Sequence, residues 1–182
     1  MRVPATLYAG VLSGVAHPVL DLAHFGFLLA LAVLALRSAQ PLRLLAIFLA
    51  AVLVGAGAHL AGIEPLEGQG LAGWMAATAL LGGLVIALPP RGRPSAIAAS
   101  IALAVAGLLH GSGYAESVEG ASLPVLAAYF TGVFVVQSAI ALAGVQALRL
   151  AAHKGRLDVG EGALASIALV CGGVAMTMAI AA

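Results

Sequence analysis

Residues 17 to 24 read H-P-V-L-D-L-A-H and place two imidazoles and a carboxylate inside an apolar run that reaches from Pro4 to Leu36. Ionisable side chains at such a depth are costly in lipid and mark functional sites. Asp21 follows His17 by four residues and His24 follows Asp21 by three, a spacing that puts all three on one side of a helix. Imidazole and carboxylate ligands together suit a borderline divalent ion such as Ni(II), Co(II) or Zn(II). A metal takes the neutral imidazole, so an occupied site is proton-sensitive. In this reading Asp21 is either a ligand itself or a support that orients a liganding histidine.

The elements that carry these residues follow from composition. Of 182 residues, 63% are hydrophobic and 8% are charged, and the mean hydropathy is +1.13. A soluble domain carries roughly a quarter charged residues, so this chain has too few to cover a water-facing surface. It reads as an all-α integral membrane protein, a bundle of about six transmembrane helices in a single transmembrane domain covering residues 1–182. The expected spans are about 4–36, 42–63, 71–88, 95–110, 123–148 and 162–180. The first is longer than the roughly 20 residues a crossing needs. Pro18 lacks an amide hydrogen and disfavours helical geometry at His17, so the first helix is expected to kink or break near His17-Pro18. Broken membrane helices survive where they face protein or a wet cavity, which is also where a binding site forms. The 23 glycines suit closely packed membrane helices. The N-terminal run continues through the His/Asp motif without a polar gap and is read as inserting directly rather than as a cleaved signal.

The connections alternate in sign. Arg37 and Arg43, then Arg91 and Arg93, then Arg149, Lys154 and Arg156 fall on alternate loops, while the loops between carry Glu64 and Glu67, then Glu116 and Glu119. Seven of the eight basic residues therefore share one side, with Arg2 the exception. The positive-inside rule makes that side cytoplasmic in a bacterial inner membrane. This topology puts His59 and His110 at the outer ends of the second and fourth spans, above a descending line of His17, Asp21 and His24. The metal-binding candidates are thus His17, Asp21, His24, His110 and Glu116. His59 taken alone reads as a packing residue, His153 as a solvated loop residue, and Gln137 as interhelical glue. Met176 and Met178, two apart, do not share a helix face. The lone Cys171 excludes an intrachain disulfide. The net charge of +1, with no basic stripe, points away from nucleic acid.

Two stretches resemble a known family. S-G-V-A-H-P-V-L-D-L-A-H is similar to the N-terminal signature of the HupE/UreJ nickel and cobalt permeases, G-x-x-H-P-x-x-G-x-D-H. Gly14, His17, Pro18 and His24 match it. Asp21 stands where the family has Gly, and Ala23 where it has Asp. That displacement turns the carboxylate by roughly 200° around a helix. The later segment from His110 resembles the family's H-G-x-A, E-S-x-x-G-A and T-P-L-x-A-Y blocks at His110, Gly111, Tyr114, Glu116, Ser117, Gly120, Ala121, Pro124, Ala128 and Tyr129. Gly113 replaces the small Ala, and Ser122 stands where an acid is common. The resemblance implies a secondary permease, not an enzyme, that moves Ni(II) or Co(II) inward with no organic cofactor.

Three functions follow as expectations. The first is divalent-metal permeation by way of the His/Asp site, without ATP, since no G-x-x-x-x-G-K signature occurs. The second is a non-transporting accessory subunit of a larger membrane complex, holding a structural metal or a polar network. The third is haem ligation by His59 and His110. The partners expected are the lipid bilayer, a divalent metal ion, and other membrane subunits or further copies of the chain.

Overall fold

Proline and small polar residues punctuate the apolar sequence into helices. The computed structural model describes residues 3–63, 66, 68–87 and 96–181; Arg2, Glu64, Glu67, Arg91 and Arg93 lie outside them. Among the described residues the chain forms seven helices and no strands: α1 (Leu7–Leu20), α2 (Leu22–Arg37), α3 (Pro41–Leu60), α4 (Gly68–Ala87), α5 (Ala96–Glu116), α6 (Leu123–His153) and α7 (Leu157–Ala181). The Thr6 hydroxyl caps α1 by accepting from the Ala9 N–H at 3.1 Å. Pro41 and Pro124 open α3 and α6 in the first turn, where a missing N–H costs no intrahelical bond. Gly120, at φ +80°, lets the chain turn between α5 and α6.

Among the described residues five helices are long and apolar enough to cross a membrane, and the α1–α2 pair, bent by 70°, makes six when it counts as one broken span. The protein is therefore an all-α membrane bundle whose first span is broken. The break expected near His17-Pro18 is present and is centred on Asp21. Helix α1 runs on through Pro18, and the Asp21 N–H still reaches the His17 carbonyl at 3.0 Å. Asp21 then takes extended backbone angles, φ −82° and ψ 115°, and its carboxylate caps α2 through the His24 N–H at 3.1 Å. An aspartate that satisfies the first donors of the next helix makes the break cheap at this position.

Three pairs of helices close on each other through glycines. On α1 and α6, a Cβ at Gly14 would collide with the Tyr129 backbone, and one at Gly132 would sit 2.7 Å from the Val11 carbonyl. On α3 and α5, Gly55 faces the Leu108 backbone and Gly111 faces that of Val52. On α4 and α7, Gly172 approaches Leu80 and Gly83 approaches Leu169. Only a missing side chain allows backbones so near, and small residues supply this packing where lipid removes the hydrophobic drive between helices. The first two pairs run parallel and the third antiparallel, as six alternating crossings require. Helix α2 lies among them, against α3, α4, α6 and α7. It buries 11 of its 16 residues. Its Leu28, Leu31 and Phe27 join Phe48, Val52, Tyr114, Tyr129 and Val133 in the main core. Leu53, Val54, Leu81, Val135 and Val170, on outward faces, are exposed to lipid.

Candidate metal centre

The broken span does what a straight helix cannot. On a continuous helix His17, Asp21 and His24 would line one face; here they meet across the 70° bend. One ligating atom from each lies within 4.8 Å of the others. The His17 and His24 rings stand edge to face with centroids 5.0 Å apart. His17 and His24 are buried and Asp21 is partly buried.

Hydrogen bonds fix which nitrogens are free. The His24 Nε2 lies 3.3 Å from the His110 carbonyl oxygen. A carbonyl only accepts, so Nε2 carries the proton and, in the neutral ring, Nδ1 holds the lone pair. That Nδ1 lies 3.0 Å from Oδ1 of Asp21. The contact lacks hydrogen-bond geometry, and no other group hydrogen-bonds Nδ1 among the described residues. Oδ1 is instead aligned with the His24 backbone N–H. Two electron-rich atoms therefore face each other in a buried place, an arrangement that a cation or a proton relieves.

His17 is held from the other side. Its Nδ1 lies 2.6 Å from the Tyr129 hydroxyl and 3.2 Å from the Ser117 hydroxyl. Ser117 donates to the Tyr114 carbonyl at 2.8 Å and stands 3.0 Å from the Tyr129 oxygen. Every member is satisfied when Nδ1–H donates to Tyr129, Tyr129 donates to Ser117 and Ser117 donates to the carbonyl. This assignment leaves the His17 Nε2 lone pair for a ligand. The Tyr114 ring, with its centroid 3.9 Å from that of His24 and 5.1 Å from that of His17, walls the site. The available donors are thus two imidazole nitrogens and a carboxylate oxygen, with α5 and α6 holding the outer side.

The other candidates are not among the three residues whose ligating atoms converge. His110 is fully buried and its ring stacks near His24, 4.7 Å between centroids, and Phe27, also 4.7 Å. Its Nε2 is spent on the Thr78 hydroxyl at 2.9 Å, because Thr78 gives its own proton to the Met75 carbonyl. His110 therefore backs the centre through its carbonyl. Glu116 ends α5 and is exposed. His59 is buried near the end of α3, outside the three-residue group. The α3 and α5 backbones close on each other at Gly55 and Gly111. Gln137, expected to act as glue, is fully buried, yet neither end of its amide has a hydrogen-bond partner among the described residues.

Sequence reasoning passed over the supports. Ser117 and Tyr129 matched the family pattern without a role, and their hydroxyls gave the only signal. Thr78 stands in an Ala-rich helix and gave none.

A family model described as HupE / UreJ protein matches residues 3–179 of the chain. No curated protein matches it, and no solved structure does.

Proposed function

The chain belongs to the HupE/UreJ family, known for nickel and cobalt transport, and from that premise we propose that it is a secondary permease for Ni(II) or Co(II). The ion enters at the end of the bundle that carries Glu116 and Glu119 and leaves toward the basic loops, which face the cytoplasm across a bacterial inner membrane. His17 through Nε2, His24 through Nδ1 and Asp21 through its carboxylate hold the ion midway. Tyr129 and Ser117 orient His17, and the His110 carbonyl orients His24, as second partners of metal-bound histidines commonly do. Energy comes from the membrane potential, an ion gradient or a partner.

One observation carries this reading: His17, Asp21 and His24 each bring a ligating atom within 4.8 Å of the others, with His24 Nδ1 and the Asp21 carboxylate 3.0 Å apart. Three donors of the imidazole and carboxylate type match a borderline divalent cation. The test is uptake of labelled nickel or cobalt by cells or proteoliposomes, wild type against His24→Ala. Uptake falls to background in the variant if the reading is right, and unchanged uptake removes the site from the transport path. Metal binding by the purified wild type without any uptake would favour the accessory-subunit function instead.

A further inference from the structure

Gln137 presents a problem that the metal centre does not solve. Its amide is 0% exposed on α6 and both Oε1 and Nε2 lack a hydrogen-bond partner among the described residues. An amide left unpaired in an apolar interior is costly, because it gives up its hydrogen bonds to water and gains none in return. A membrane supplies no water by default to offset it. Leucine would fill such a position at no such cost, so the amide is open to a guest.

Its place on α6 identifies the guest. Tyr129, Val133, Gln137 and Ala141 are spaced by four and share the buried face of the helix. Tyr129 holds His17 at one end of this row. Ala141, at the other, lines a mostly apolar cavity of about 250 Å³, among residues such as Leu31, Leu45, Leu142 and Val145, in which Gln146 and Arg149 are the polar members. Gln137 therefore lies about 12 Å beyond Tyr129, and one helical turn before the cavity, on the way to the basic end. Between the two lie only apolar side chains on this face, Val133 above and Ala141 below.

We infer that Gln137 is the inner station of the transport path, where its amide oxygen takes a partly hydrated divalent cation released from His17, Asp21 and His24 before it enters the cavity. Amide oxygens ligate divalent cations directly and also accept the protons of their hydration water. The neutral amide binds less firmly than the His/Asp set, as a transit site must so that the ion can leave. This inference rests on the permease reading, and the two fail differently.

The experiment compares Gln137→Leu with wild type in two measurements, Ni2+ binding by the purified protein and Ni2+ uptake into proteoliposomes. The expected result is binding within about twofold of wild type and uptake lowered at least tenfold. Wild-type uptake in Gln137→Leu overturns the station alone; a wild type that binds no Ni2+ overturns the permease reading and the station with it. A second variant needs no metal. In a Cys171→Ala background, Gln137→Cys is expected to react with a water-soluble methanethiosulfonate reagent in membrane vesicles, whereas Val135→Cys, on the lipid face, is not. An unreactive Gln137→Cys shows a dry position and overturns the station.

Discussion

At the basic end of the bundle, Arg37 of α2 sets a guanidinium nitrogen 2.6 Å from the carboxylate of Glu161 on α7 and 3.0 Å from the Ile86 carbonyl of α4. Toward the other end, the Asp21 carboxylate faces an imidazole lone pair. Both places are partly or wholly buried, and both contain an acid beside a nitrogenous base. They differ in whether the charge is answered from within. The guanidinium is a permanent donor, its Nε also reaches Glu161 at 3.2 Å, and three helices are tied by a set in which each acceptor has a proton. At Asp21 and His24 a neutral ring turns its one proton to the His110 carbonyl, and in that form acceptor meets acceptor. A self-neutralised cluster holds helices together, and an unanswered one is open to a cation, as the proposed function requires.

The sharpest way to break this comparison is Asp21→Asn. Asparagine caps a helix as well as aspartate does, so the break and the helix content stay while the charge goes. Losing a partner of a metal-bound histidine already lowers affinity by about 10–100-fold; losing a charged ligand is expected to reach the upper part of that range or exceed it. Titration calorimetry with Ni2+ reads the affinity and circular dichroism reads the helix content. Wild-type affinity would make Asp21 a cap and nothing more, and would erase the difference between the two ends.

A smaller effect is expected from Tyr129→Phe, which keeps the ring and removes only the hydroxyl bound to His17. His17 then loses its main orienting partner, with Ser117 still in reach at 3.2 Å. Affinity for Ni2+ is expected to fall about tenfold, with thermal stability close to wild type. A large loss of stability at unchanged affinity would recast the hydroxyl chain as a packing device.

The basic end answers in the opposite sense. Glu161→Gln leaves the Arg37 guanidinium partly buried with one charged partner fewer, and the expected loss is about 1–3 kcal/mol of stability. Arg37→Ala is expected to cost a similar amount, and the double variant less than the sum, because the two changes remove one shared interaction. Melting curves in detergent measure all three. Ni2+ affinity is expected to stay within about twofold, and a tenfold loss would show that the two ends are coupled.

Much of this was legible in the sequence, for identifiable reasons. The broken first span was, because Pro4 to Leu36 is too long for one straight crossing and holds a proline. The position of the break was not. Pro18 is the stronger signal by composition, yet Asp21 ends α1, because a carboxylate can cap α2 and a proline ring cannot. The grouping of His17, Asp21 and His24 was anticipated from helical spacing, but they meet across the bend. The seams at Gly14, Gly111 and Gly172 were foreshadowed only as a glycine content, since composition does not say which backbones meet. The Arg37–Glu161 pair joins residues 124 apart in sequence, and no local pattern announces such a contact.

Glu116→Gln tests the outer edge of the comparison and is expected to have the smallest effect. Glu116 and Glu119 are both exposed where α5 ends and the chain turns to α6. Solvent and salt answer their charge, as Arg37 answers that of Glu161. The carbonyl end of α5 adds partial negative charge to the same mouth. One carboxylate there raises the local concentration of a divalent cation without holding it, and its reach is limited to about 8 Å at physiological salt. Removing it should therefore raise the apparent KM for Ni2+ uptake about twofold at low ionic strength. The difference should vanish as salt is added, and the maximal rate should not change. A maximal rate lowered tenfold at any salt would mean that Glu116 touches the ion. The unanswered cluster would then extend to the surface, and the division between a screened mouth and a buried centre would have to be drawn further out, along α5.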